Sequence, residues 1–160
     1  MNITIREVEE TDNLILAQII RNTFEEHGAP KQETVYSDPT TDNLYELFRA
    51  EKSVLWVAVS DGKIAGCCGI YPTNGLPENC VELVKFYLST ESRKRGIGKA
   101  LLAKSIESAR NFGYTKFYLE SLPQFNDAIS LYEKQGFVRL DKPMGESGHN
   151  ACNIWMVKEM

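Results

Sequence analysis

The sequence predicts one α/β (α+β) domain: a mixed seven-stranded sheet flanked by about four helices. Three observations carry that prediction. Short apolar runs alternate with segments whose apolar residues recur every three or four positions. Asp61-Gly62 stands between two strand-like runs and marks a tight hairpin, hence an antiparallel pair. Residues 81–120 read as strand, glycine turn, helix and strand, which requires a right-handed crossover and a parallel pair.

The elements follow in order. Residues 2–8 alternate weakly through Ile3, Ile5 and Val8 and form a first strand. Thr11 or Asp12 caps a helix that runs to about His27, with Leu16, Ile20 and Phe24 as its buried stripe. Gly28 and Pro30 end it. Residues 29–39 have two prolines and no periodicity, and read as a loop. Thr40 or Thr41 then caps a short helix, roughly 42–50, with Leu44, Leu47 and Phe48 facing in. Residues 54–59 and 63–71 are the hairpin strands. A loop rich in proline, glycine and asparagine leads to the strand 80–88. Beyond the glycine turn, Leu102, Ile106, Ala109 and Phe112 form a helix stripe stopped by Gly113. Residues 115–120 are a fifth strand. Phe125, Ile129 and Tyr132 mark a further helix, closed by Gly136. The last strands are 137–140 and 152–157, joined by a loop that carries His149. Repeats, low-complexity tracts and linkers are absent, so residues 1–160 read as a single domain.

Bulk properties exclude several classes. The chain has 160 residues, enough for one real core. A net charge of −4 argues against nucleic acid as a partner. No apolar run approaches the ~20 residues of a membrane span, so no membrane partner is expected. The N-terminal residues lack a signal-peptide profile, and the expected location is cytoplasmic. Cys67, Cys68, Cys80 and Cys152 form no C-x-x-C pair, so no metal site is expected. They read as buried thiols, Cys67 and Cys68 on opposite faces of a strand. A homodimer joined near the last strands is compatible with the pattern.

The stretch Arg93-Lys94-Arg95-Gly96-Ile97-Gly98-Lys99 stands out against the acidic background. Two glycines let a ligand approach the backbone and leave N–H groups pointing outward. The helix start adds the positive end of its dipole. With four basic side chains in seven residues, this describes a pyrophosphate seat. The alternative is an ordinary strand-to-helix turn with solvated charges. Neither G-x-x-x-x-G-K-[ST] nor G-x-G-x-x-G is present, since Lys99 and Ala100 follow Gly98 and Leu101 stands where a third glycine belongs.

The pattern present is R-x-x-G-x-G. A second motif is Ala128-Ile129-Ser130-Leu131-Tyr132-Glu133-Lys134-Gln135-Gly136-Phe137. With these motifs and this element order, the chain resembles the GNAT superfamily of N-acetyltransferases over nearly its whole length. The resemblance implies acetyl-CoA as co-substrate, its pyrophosphate held by Arg93, Lys94, Arg95, Gly96, Ile97, Gly98 and Lys99. It implies a bulged strand whose backbone at Phe86, Tyr87 and Leu88 pairs with pantetheine, one N–H meeting the thioester oxygen. It places Tyr132 near the thioester sulfur, able to protonate the leaving thiolate; without the resemblance Tyr132 is a core aromatic. The family often has an asparagine seven residues before that tyrosine. Phe125 occupies that position here, so Asn126 reaches the cofactor only through a shifted helix start. The first two helices and their loop would form a wall of the acceptor site.

The implied reaction is attack of an amine on a thioester. A free alkyl amine, with a pKa of about 10, is nearly all protonated at neutral pH, so a base is needed. By period 2, Glu82 shares a face with Val84, Phe86 and Leu88 unless the bulge shifts it. Apolar neighbours would raise its pKa toward that of a general base. Glu120 ends the fifth strand, and the carboxyl ends of parallel strands are where α/β sheets bind ligands. Some relatives use a glutamate there. Either carboxylate can be the base, or both can act on one water; a salt bridge or a solvated strand end is the alternative for each. His149 is a structural histidine, or else a second base or a ligand for the acceptor. No cysteine falls at the expected acyl position, which favours direct transfer in a ternary complex. The expected acceptor is a primary amine on a small molecule or amino acid, with a protein N-terminus or lysine second. The rival class is a non-catalytic acyl-CoA-binding sensor, which Tyr132 and the two carboxylates tilt against.

Overall fold

The computed structural model describes residues 2–160; Met1 lies outside them. Seven strands form one sheet: β1 (Ile3–Glu7), β2 (Val54–Ser60), β3 (Lys63–Tyr71), β4 (Cys80–Leu88), β5 (Lys116–Ser121), β6 (Val138–Leu140) and β7 (Ile154–Glu159). Their order is β1-β2-β3-β4-β5-β7-β6. Only β4 and β5 pair in parallel; every other pair is antiparallel. The helices are α1 (Asn13–His27), the single turn α2 (Leu44–Leu47), α3 (Ile97–Asn111) and α4 (Asn126–Lys134). The element order and the mixed sheet are those expected.

Strand alternation splits the core in two. Leu16, Ile20 and Phe24 of α1 and Leu44 of α2 cover one face, over Leu55, Val57 and Cys67. Leu101, Leu102, Ile106 and Ala109 of α3 and Ile129 of α4 cover the other, over Ala58, Cys68 and Val81. Cys67 and Cys68 are both fully buried, one on each face.

The helix starts differ from expectation. Asp12 stands before α1 but makes no side-chain cap bond to it. Its carboxylate turns back to accept the Glu9 N–H and the Arg6 guanidinium, because a 3-10 turn precedes the helix. Thr40 and Thr41 lie inside another 3-10 turn, Pro39–Asp42, and cap nothing. The cap of α2 comes from far away: Asn13 Oδ1 accepts the Tyr45 N–H at 2.8 Å.

Two irregularities in β4 position the site. Its pairing with β5 covers only Cys80↔Lys116, Val81↔Phe117 and Glu82↔Tyr118. From Leu83 onward β4 has no partner on that side, so the sheet opens between β4 and β5. On the other side, Val84 lies opposite Gly69 and Tyr87 opposite Cys67, which leaves Lys85 and Phe86 against one residue. This is a β-bulge, with Lys85 at φ 56. The bulge inverts the alternation. Val84 and Tyr87 pack with the α1 face, whereas Phe86 and Leu88 pack with the α3 face. Glu82 therefore shares its face with Val84 and Tyr87, not with Phe86 and Leu88 as a simple period of two gives.

Gly66 on β3 permits this geometry. A Cβ there would collide with the Tyr87 carbonyl oxygen and the Leu88 side chain. Gly66→Ala should lower the unfolding free energy by roughly 3 kcal/mol, read as a shifted denaturant midpoint. A loss under about 0.5 kcal/mol would show that β3 and β4 yield freely at the bulge.

Candidate active site

A cavity of about 500 Å³ fills the opening between β4 and β5. Its floor is residues 82–88 of β4. Glu120 and Ser121 bound it on β5, Thr23, Phe24 and His27 on α1, and Leu131 and Tyr132 on α4. The turn after β4 and the loop before β7 close its ends. The expected acceptor wall is met by α1 and, at Val35, by the following loop; α2 contributes no lining residue.

The turn has the shape that its glycines suggest. Gly96 has φ 81, a conformation that a side chain disfavours. The first helical bond of α3 runs from the Ala100 N–H to the Gly96 carbonyl at 3.1 Å. The N–H groups of Ile97, Gly98 and Lys99 therefore precede the helical ladder. The side chain of Ile97 is buried in the core, so only its backbone can serve a ligand. Arg93 is engaged by the protein: its guanidinium donates to Glu26 at 2.5 Å and to the Leu88 carbonyl at 3.1 Å. The bond from Arg93 holds the Glu26 carboxyl below its ordinary range. Arg93 thus ties α1 to the turn.

The two carboxylates sit where the parallel pairing ends. Glu82 pairs in register with Tyr118, and Glu120 is two residues further along β5. Glu82 is 4% exposed, and Thr73 donates its hydroxyl to Oε1 at 2.5 Å. Burial pushes Glu82 up to about 7; the Thr73 bond opposes that, the Glu120 carboxylate adds to it, and Lys85 opposes it. Glu120 accepts hydroxyls from Tyr118 at 2.6 Å and Ser147 at 2.5 Å. These bonds, with Met144 N–H donating to the Tyr118 oxygen, fasten the 141–153 loop to the end of β5.

Tyr132 is buried, its ring between Phe86 and Phe137 at 5.9 and 5.8 Å. Burial raises its phenol well above the ordinary value. Tyr132 makes no hydrogen bond through its hydroxyl among the described residues. His149 lines the cavity and its Nε2 lies 2.8 Å from Asp38. Burial alone would raise the Asp38 carboxyl, but bonds from His149 and Thr40 outweigh it and leave it below its ordinary value. Cys152 also lines the cavity, which the sequence did not suggest. Burial, with Glu120 and Glu82 adding, pushes its thiol up to about 12, so it stays protonated.

The cavity thus brings together Glu82, Glu120, Tyr132, Phe86, Tyr87, Leu88, Arg93, Lys94, Gly96, Gly98 and Lys99. Arg95, Ile97 and Asn126 do not line it; Asn126 is exposed at the start of α4, and Phe125 and Asp127 line the cavity on either side of it. Sequence reasoning missed Lys85, Thr23, His27 and Asp38. Lys85 had a visible signal, a lone cation inside the apolar run of β4. Asp38 had none, because only the fold brings it to His149.

Residues 17–137 match the model of the Acetyltransferase (GNAT) family. The N-acetyltransferase YjgM of Escherichia coli K12, itself uncharacterized, is 34% identical over 158 residues, covering 98% of this chain and 94% of its own. A GNAT-family acetyltransferase from Staphylococcus aureus Mu50 has the same fold, with a TM-score of 0.85, 21% identity and 99% of each chain covered. The PaiA N-acetyltransferase of Thermoplasma acidophilum, solved in complex with coenzyme A, has a TM-score of 0.79, 23% identity and full coverage of both chains. The chain belongs to the GNAT family: it is an acyltransferase that uses acetyl-CoA as co-substrate.

The raised pKa of Glu82 has a consequence for stability. A carboxyl easier to protonate in the folded state adds stability that is full below the unfolded value and is lost as pH rises through about 7. Between pH 5 and pH 8 that loss is roughly 2–3 kcal/mol. Glu82→Gln, which mimics the neutral form, should therefore gain stability over the parent at pH 8 relative to pH 5. Thermal melts at the two pH values check this; a pH-independent difference would show that Glu82 ionises freely.

Proposed function

We propose that the protein transfers the acetyl group of acetyl-CoA directly to the primary amine of a small molecule or amino acid within a ternary complex. One observation carries the reading. A buried carboxyl that titrates near neutrality and a phenol with an unbonded hydroxyl line the cavity whose end is the amide-rich turn.

The pyrophosphate of coenzyme A lies on the N–H groups of residues 97–99, with Lys94 and Lys99 beside it. Pantetheine runs along residues 86–88, where β4 lacks a partner on its β5 side and its outward backbone groups can pair as a strand does. The amine nitrogen surrenders a proton to Glu82, directly or through a water held with Glu120. Nitrogen then attacks the thioester carbon, and a β4 N–H receives the charge that develops on oxygen. The C–S bond breaks, the amide forms, and the thiolate takes the Tyr132 proton. The nitrogen sheds its second proton through water to the phenolate, and Glu82 releases its proton to solvent as product leaves. Burial raises the pKa of the phenol and would raise that of a thiolate formed beside it, so exclusion of water does not oppose the transfer. The protonated thiol of Cys152 favours direct transfer over an acyl-cysteine. The unpaired thiols fit a reducing cytoplasm, where we place the protein.

Gly96→Asp should abolish coenzyme A binding in calorimetry, because a carboxylate would stand at the phosphate seat on a strained backbone. Unchanged affinity would remove the seat from that turn. Tyr132→Phe should lower kcat about 10²-fold while the coenzyme A Kd stays within about twofold. A rate that holds would leave Tyr132 a packing residue. In the parent, kcat/KM should fall as pH drops through about 7, since the base must be ionised. Glu82→Gln should flatten that acidic limb and Glu120→Gln should keep it; the reverse result would make Glu120 the base. Tight coenzyme A binding with no thiol release on any amine would make the protein a sensor.

A further inference from the structure

Among the described residues, Lys85 is the one buried charged side chain of the cavity with no hydrogen-bond or ion-pair partner. It is 7% exposed and lines the cavity from the bulge of β4. Among the described residues its ammonium has no hydrogen-bond acceptor and no ion pair. The anions whose field reaches it are Asp38 and Glu82, with the Cys67 and Cys152 thiols nearby. Both carboxylates are already engaged. Asp38 Oδ1 takes the N–H and hydroxyl of Thr40, and Oδ2 faces His149. Glu82 Oε1 takes the Thr73 hydroxyl. A buried ammonium without a partner is unstable in its charged form, and burial accordingly lowers the Lys85 pKa. The residue also holds a left-handed backbone that favours glycine.

We propose that Lys85 seats a carboxylate of the acceptor, so that the acceptor is an amine bearing a carboxylate, of the α-amino-acid class, rather than a plain amine or a polyamine. This inference rests on the acetyl-transfer reading for the fate of the amine and adds the chemistry at the acceptor's other end. Glu82 and Lys85 lie three residues apart on the same cavity floor. An α-amino acid carries on one carbon the two groups that they complement: an amine for Glu82 and a carboxylate for Lys85. Phe24, Tyr87 and Phe125 pack against one another beside them, ring centres 5.1–6.3 Å apart, and offer an apolar seat for a side chain.

The test compares matched acceptors that differ only in the carboxylate: L-phenylalanine with 2-phenylethylamine, L-leucine with isoamylamine, and L-glutamate with 4-aminobutyrate as a pair that keeps a distal acid. Thiol release from acetyl-CoA is followed for the parent, Lys85→Met and Lys85→Arg, with coenzyme A affinity as the check on folding. The better of the first two amino acids should exceed its amine by about 100-fold in kcat/KM. Lys85→Met should bring that ratio to within about threefold of one, and Lys85→Arg should restore part of it. A parent ratio near one, or favouring the amine, overturns the proposal. So does a ratio that Lys85→Met leaves unchanged, including an equal loss on both acceptors, which would make Lys85 a base. Calorimetry of the coenzyme A-loaded protein with the same amino acids separates the two readings. Binding that Lys85→Met removes, without turnover of any amine, would keep the seat and refute acetyl transfer. No binding and no turnover of any amino acid refutes the seat.

Discussion

The site depends on β4 leaving β5 after three paired residues. A parallel pair that continued would satisfy the backbone groups of residues 83–88 that face away from β3 and close the space between the strands. The bulge on the other side of β4 does related work. By setting two residues against one, it turns Tyr87 toward α1 while Phe86 and Leu88 turn toward α3. One strand thereby furnishes the proposed base and the apolar wall of one face, the floor of the other, and an open backbone edge toward β5. The glycine turn that follows is the C-terminal extension of that strand, so the proposed phosphate seat and the proposed reacting end are set by one stretch of backbone.

The electrostatics follow from the same opening. Glu82 is buried at the last paired position, where solvent reaches it only through the cavity, and its pKa moves toward neutrality. Glu120, two residues past the pairing, is partly exposed and held by two hydroxyls. Asp38 and His149 come from segments remote in sequence and tie the loop after α1 to the loop before β7. These two loops and α1, itself tied to the glycine turn through Glu26 and Arg93, line the same cavity, at the end where the acceptor is proposed to bind. Coenzyme A settling at the turn would therefore bear on the wall that the acceptor meets, through one guanidinium.

Most of the fold was legible because it rests on local patterning. The stripe Leu16, Ile20, Phe24, the turn Asp61-Gly62 and the stop at Gly113 each read correctly from neighbours in sequence. The α2 cap did not, because Asn13, 32 residues earlier, supplies it. Nor did the face of Glu82, because one bulged residue reverses a strict alternation. At the site, Tyr132, the glycine turn and the two glutamates were visible through short motifs and strand ends. Thr23, His27 and Asp38 were not, since only tertiary packing brings the first two to the cavity and the third to His149. Lys85 was visible as a cation in an apolar strand, yet its meaning needs the knowledge that no described residue pairs with it.

The central claim is that the unpaired backbone of β4 and the first amides of α3 receive coenzyme A together. Amide hydrogen exchange with and without coenzyme A tests this most directly. The account predicts that the amides of residues 86–88 and 97–99 slow by about tenfold or more on binding, while those of β1 and β6 do not change. Binding that protects other amides, or that leaves both of these segments exchanging as before, would contradict it.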